Sequence, residues 1–393
     1  MKRITAQYVY KADGSAPLKN AYVEYDETNG TILAIGNCEE GEQVEKGAIV
    51  PGFVNAHCHV ELSHLHTKFR KGTGMAGFID QINELRDWAA RDVKIELVQK
   101  WMDKMWEDGV QAMADISNDD SSFEVKKAHK MYTRTFLEVF GSEPHMCEGV
   151  MSDVTALHNL SKEVGIDAAP TPHSCYTMSP QLLSASSAAG LAEGYLSYHS
   201  QESQEEEDLI IKGEGAMYEN RKRSGMSTPP VTGESSLKYF ISRLAQAKPA
   251  PYDEHILLVH NVCLAQGDID AAKEVMNNVY WAICPLSNIF IHNALPPIKL
   301  MRENGLAIML GTDSLSSNDD LDIVKELNCL HENFPEVPMQ ELLQWACYNG
   351  AKFLAKENVI GSLEIGKQPG IVRIENIDCD GFVTNQSRSY RII

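Results

Sequence analysis

From residue 48 onward, short apolar runs alternate with longer stretches in which apolar residues recur every three to four positions. The runs at 48–54, 111–116, 135–140, 166–170, 195–199, 256–260, 280–284 and 306–310 have the length of buried strands. The intervening stretches at 78–91, 98–108, 179–193 and 235–248 carry a helical period. Strands alternating with helices imply parallel pairing, since a parallel connection needs a crossover. Eight such units predict a (β/α)8 barrel over residues 51–355; an open doubly wound sheet is the alternative. Two further helices are expected at 321–333 and 339–355.

The chain ends read differently. Residues 5–10, 21–25 and 31–35 are β-rich and separated by the turn sequences Asp13-Gly14-Ser15 and Thr28-Asn29-Gly30. The tail offers short strands at 371–374 and 389–392. Residues 1–50 and 356–393 are therefore expected to form one small β domain. The longest irregular stretches, 61–75 and 211–234, follow strand ends, where long loops act as lids or substrate walls. The acidic run Glu205-Glu206-Glu207-Asp208 is expected to be a solvated helix start, where acids suit the dipole.

Composition narrows the function. A hydrophobic content of 43% over 393 residues supports a large core. Lys and Arg number 35 against 55 Asp and Glu, a formal charge of −20, which repels nucleic acid and anionic membranes alike. Nine cysteines with no CxxC pair suit free thiols in a reducing compartment. The N-terminus lacks an apolar signal segment and no run reaches the ~18 residues of a membrane span. A cytoplasmic protein is expected.

Candidate chemistry sits at the predicted strand ends. His57 and His59, spaced i, i+2, share one side of a strand. A lone His-x-His is weak evidence for a metal site. Here, however, the fifth strand ends in His199 with Glu202 three residues on, the sixth in His260, and the eighth in Asp313. Three histidines and an aspartate make a plausible ligand set for Zn²⁺ or Fe²⁺, at the face where barrel enzymes carry their chemistry.

The segments PGFVNAHCH, TPHSCYTMSP, YHSQES, LVHN, CPLSNIFI, GTDSLSSN and GSLEIGKQPG together resemble the amidohydrolase superfamily, in its cytosine deaminase and chlorohydrolase-like branch. That resemblance implies a distorted TIM barrel beside a small β-sandwich made from both termini. It implies that His57, His59, His199 and Asp313 bind one divalent metal, zinc ahead of iron. It gives Glu202 the part of a proton shuttle to the substrate's ring nitrogen. It makes His260, with Asp313, the acceptor of the attacking water's proton, and His173 a substrate contact. Superfamily members with two metals use a bridging lysine or carboxylate. The fourth strand has no lysine, and Glu138 on the third reads as a buried polar partner, with a substrate or metal contact as its other reading.

The function so implied is hydrolytic deamination of an aminated N-heterocycle (a purine, a pyrimidine or a nucleoside-like compound) by metal-activated hydroxide, with release of ammonia. A chlorohydrolase or cyclic-amide hydrolase is the nearest alternative. A non-catalytic metal-binding barrel acting through a partner is the alternative of a different class; the joint presence of Glu202 and His260 speaks against it. A homodimer is a common arrangement for such a chain. The GxGxxG at 72–77 lacks a preceding strand, and reads as a lid rather than a dinucleotide site. The near-Walker sequence at 361–367 has Gln368 in place of Ser or Thr and reads as a turn. Trp88 is expected to pack in the core. Arg134, Arg221, Lys222 and Arg223 read as solvated charges, with an anionic substrate group as their other use.

Overall fold

The computed structural model describes residues 1–393. Four strands open the chain: β1 (Lys2–Val9), β2 (Leu18–Tyr25), β3 (Ile32–Asn37) and β4 (Ala48–Pro51). Eight follow: β5 (Phe53–Cys58), β6 (Val110–Ser117), β7 (Tyr132–Val139), β8 (Asp167–Pro172), β9 (Tyr195–Ser200), β10 (Tyr252–His260), β11 (Met276–Ile283) and β12 (Ile308–Leu310). The tail adds β13 (Ile371–Glu375) and β14 (Arg388–Arg391).

β5 to β8 form one parallel four-stranded sheet and β9 to β12 another, each in chain order. Hydrogen bonds cross between the two sheets at both edges. Between β8 and β9, His199 N–H donates to the His173 carbonyl (2.9 Å) and Ser197 N–H to Thr171 Oγ1 (2.9 Å). Between the end of β12 and β5, Thr312 and Asp313 N–H both donate to the His57 carbonyl (3.1 and 3.0 Å). Gly311 makes that second seam possible, because a Cβ there would stand 2.8 Å from His57 N. These strands are buried on both faces, as parallel sheets are. Alternate residues such as Val54, Ala112, Leu257 and Met309 pack with Phe353, while Met113, Leu137, Leu258 and Trp281 join the large cluster that the helices complete.

The two chain ends meet in one six-stranded sheet of order β14-β13-β4-β1-β2-β3. β4 is the reason: it pairs parallel with β1 and antiparallel with β13, which makes the terminal strands continuous. The region 211–234 is not wholly irregular, since Ala216–Arg223 is helical. The expected helix 339–355 runs Met339–Phe353 in three pieces, with a π-helical turn at Gln344–Tyr348. Trp88 is 49% exposed, with the Lys68 ammonium over its ring, so it is not a core residue. No helix is long and apolar enough to cross a membrane. All nine cysteines are free.

Candidate active site

The strand ends named from sequence converge. His57 Nε2 lies 3.1 Å from His59 Nε2, which in turn lies 3.3 Å from His199 Nε2. Asp313 Oδ1 is 3.7 Å from His57 Nε2 and 3.6 Å from His59 Nε2. His260 Nε2 faces Glu202 Oε1 at 3.5 Å. Glu202, His260 and Asp313 form one close group, and His57, His199 and His260 another. All are buried. The backbone bends sharply to deliver them: Gln201, His260, Asn261 and Asp313 all have positive φ, a strained conformation for residues with side chains.

The donor set fits a divalent cation. His199 Nδ1 lies 3.2 Å from the His173 carbonyl, which only an N–H can satisfy, so His199 Nε2 carries a lone pair. That lone pair is aimed at His59 Nε2, and a ring nitrogen facing a ring nitrogen beside a carboxylate oxygen is the geometry a cation relieves. Burial holds the rings neutral. It drives His57 well below its ordinary range and lowers His59 and His260 to about 3, although the Asp313 charge opposes the shift at the latter two. Neutral imidazole is the form that binds metal.

Around this cluster the polar groups are matched. Asp313 is pushed up by burial, but the neighbouring histidines and Ser287 more than offset that and hold it low. Ser287 and Ser317 hydroxyls donate to its Oδ2 (2.6 and 2.8 Å), leaving Oδ1 toward the histidines. Asn288 Nδ2 lies 3.1 Å from His260 Nδ1, while its Oδ1 has no partner. Turned over, that amide would accept Nδ1–H and leave His260 Nε2 free to take a proton. Burial, with the charges of Asp313 and Glu206, raises Glu202 well above the usual carboxylate range.

Glu138 is buried, accepts from Asn118 Nδ2 (3.2 Å) and faces His199 Nδ1 (3.4 Å). It also lines the cavity over the cluster, as do His173 and Leu62. Leu65, by contrast, is packed in the interior. His173 Nδ1 is held by the Ser174 and Thr177 hydroxyls (2.7 and 2.8 Å). The helix Gly74–Leu85, opened by the glycine-rich 72–77 segment, forms one cavity wall through Met75, Phe78, Ile79 and Ile82.

Two sequence expectations fail here. The acidic run is not a solvated start, because Glu206 is 0% and Glu207 5% exposed. Glu206 accepts the backbone N–H groups of Gln201 (3.1 Å) and Glu202 (2.8 Å), and so sets the turn that presents Glu202. The Ser203-x-x-Glu206 capping signature was the signal in the sequence; Ser203 does cap that helix. Nor are Arg134 and Arg221 solvated: both are buried, Arg134 paired with Asp167 (2.6 Å) and Arg221 bound to the carbonyls of Tyr176 and Ser227.

Residues 48–385 match the profile of the Amidohydrolase family. An adenosine deaminase of Helicobacter pylori is 26% identical over 331 residues, covering 82% of this chain and 78% of its own. The crystal structure of Helicobacter pylori aminofutalosine deaminase in complex with methylthio-coformycin is similar at a TM-score of 0.76 and 22% identity, over 96% of this chain and 93% of that one. An adenosine deaminase from Xanthomonas campestris with bound zinc is similar at 0.72 and 18% identity, over 95% and 84%.

Proposed function

This chain belongs to the amidohydrolase family, and from that premise we propose that it deaminates an aminated N-heterocycle of nucleoside-like size, hydrolysing a carbon–nitrogen bond and releasing ammonia. The observation that carries the reading is the pairing of the buried Glu202 with His260 and Asp313 beside a three-histidine cluster. The relatives named above, deaminases of adenosine and aminofutalosine, support the same reaction class.

In this reading His57, His59, His199 and Asp313 hold a single divalent ion, which we assign as zinc from the nitrogen-rich donor set. Bound there, the ion would supply Lewis acidity and make water nucleophilic near neutral pH. The chain's own groups move the protons. Asp313 and His260 accept the proton of the attacking water. Glu202 gives its proton to a ring nitrogen of the substrate, which lets the ring take up electron density as the adjacent carbon is attacked. His173, its Nδ1 held by Ser174 and Thr177, lines the cavity and serves as a substrate contact.

The frame for these roles is read as a distorted (β/α)8 barrel over residues 51–355, with residues 1–50 and 356–393 as a small β domain. The parallel order of β5 to β12 and the hydrogen bonds at both seams support the barrel.

The test is ammonia release by zinc-loaded protein across aminopurines, aminopyrimidines and adenosine derivatives, with Glu202→Gln as the control. The variant is expected to keep its metal by elemental analysis and to lose turnover by about 10²- to 10⁴-fold, the range for a positioned acid–base group. A variant that retains most activity removes the shuttle. Wild-type protein that holds its metal yet releases ammonia from none of the panel removes the deaminase reading.

A further inference from the structure

The cavity over the cluster has twenty lining residues, and Arg86 is the only lysine or arginine among them. It stands at the C-terminal end of the wall helix, where its own carbonyl is bound by His64 Nε2 (2.8 Å). Its guanidinium donates to a neutral amide, from Nη2 to Asn118 Oδ1 at 2.6 Å, and lies 5.1 Å from the centre of the Phe140 ring. It makes no ion pair. The nearby acids feel its charge but bind Asn118 rather than the guanidinium: Glu61 Oε2 accepts the Asn118 backbone N–H (2.9 Å) and Glu138 Oε2 accepts the Asn118 side chain.

The contrast with the other candidate cations is direct. Arg134 and Arg221 are consumed by internal partners, and Arg223 is paired with Asp80 (2.8 Å). In a chain of net charge −20, an arginine that lines a substrate cavity without forming an ion pair is a feature with a use. Five donors in a planar fork, backed by an aromatic face, suit a carboxylate or phosphate bound by two parallel hydrogen bonds. Asn83, also on the cavity, adds a neutral amide beside it.

Resting on the deaminase reading above, we propose that the substrate is an aminated nucleoside-like compound that carries an anionic group, and that Arg86 binds that group. The anion is a carboxylate or a phosphate, and the assay below separates the two. Neutral nucleosides would leave the guanidinium unpaired against the bound ligand, which costs affinity.

Two measurements test this separately from the reaction. The first is turnover of adenosine, adenosine 5′-carboxylate and adenosine 5′-monophosphate by zinc-loaded wild-type and Arg86→Gln protein. An anionic compound is expected to exceed adenosine in kcat/KM, through KM, and Arg86→Gln is expected to cut that preference about 10- to 100-fold, the range for losing charge-assisted hydrogen bonds. Arg86→Lys, which keeps the charge but not the fork, should restore part of it. The second is calorimetric binding of inosine, inosine 5′-carboxylate and inosine 5′-monophosphate, which needs no turnover. Tighter binding of one anion, lost in Arg86→Gln, supports the site and identifies carboxylate or phosphate. Equal binding of neutral and anionic compounds, or an equal loss for all of them in the variant, overturns it. Absence of ammonia release together with Arg86-dependent anion binding would remove the deaminase reading and keep the subsite.

Discussion

Asn288 and Ser287 are neighbours at the start of the helix Pro285–His292, and each holds a different strand end: Ser287 the Asp313 carboxylate, Asn288 the His260 ring. One dipeptide therefore fixes the relative position of two groups that, in the proposed reaction, both meet the attacking water. Asn288→Leu should lower kcat about 10- to 100-fold with KM little changed, because the ring loses the hydrogen bond that sets its tautomer while the substrate wall is untouched. Steady-state kinetics decide it; a rise in KM with kcat intact would mean that Asn288 acts on binding. The residues that converge on the cavity were legible in the sequence because they are His, Asp and Glu at the ends of apolar runs. Those that hold them, Ser287, Asn288, Ser317 and Glu206, are ordinary polar residues whose work depends on which distant strand end folds beside them. CPLSNIFI pointed to the right segment without revealing its two partners.

At the scale of elements, the helix Gly74–Leu85 is the wall most open to adjustment. Its N-terminus is tied to the next layer by Glu205, whose Oε2 accepts Ala76 N–H (2.9 Å). Gly74 has φ +69, and a Cβ there would sit 2.3 Å from Glu205 Oε1. Gly74→Ala must therefore break this tie as well as strain the backbone, a cost of about 1 kcal/mol for the positive φ alone. The expected result is a KM raised several-fold with kcat nearly kept, because Met75 and Phe78 move while His57, His59, His199 and Asp313 stand on other elements; unchanged KM would show the wall to be independent of its tether. Strands were read from sequence to within a few residues because fully buried parallel strands are continuous apolar runs. The helix Ala216–Arg223 was not, since it follows Gly213-Glu214-Gly215 and is polar along most of its length. Only Met217, Asn220 and Arg221 are buried, and Asn220 is anchored by a hydrogen bond to Asp80 (2.7 Å), a contact with no local signature.

Across the whole molecule, burial of ionisable groups sets how stability depends on pH. Burial raises Glu61 and Glu206 to about 7, and Glu138 and Glu326 to about 8. Each of these, folded, keeps a proton that the unfolded chain releases near its ordinary value of about 4.5. Their contribution is therefore present below that value and is lost as pH rises toward 8. The buried histidines act in the opposite sense: His57, His59, His173, His199 and His260 are all depressed by burial, so below about pH 6.5 the unfolded chain binds protons that the fold refuses, and stability falls as pH drops. Between about pH 4.5 and 6.5 the two limbs oppose each other, and above about pH 6.5, where only the carboxylate limb acts, protein stripped of metal by a chelator should lose stability as pH rises. Glu326 isolates the alkaline limb, because it accepts Leu286 N–H (3.0 Å) and Asn318 Nδ2 (2.8 Å) and so braces the Ser287 and Asp313 segments. Glu326→Gln removes its titration at nearly constant volume. Urea unfolding between pH 6.5 and 8 should then lose stability less steeply than wild type, by up to about 1.4 kcal/mol per pH unit, one proton's worth. Equal slopes in the two proteins would mean that Glu326 is already ionised in the fold. The bracing of Asp313 would then rest on a buried carboxylate charge rather than on a neutral acid.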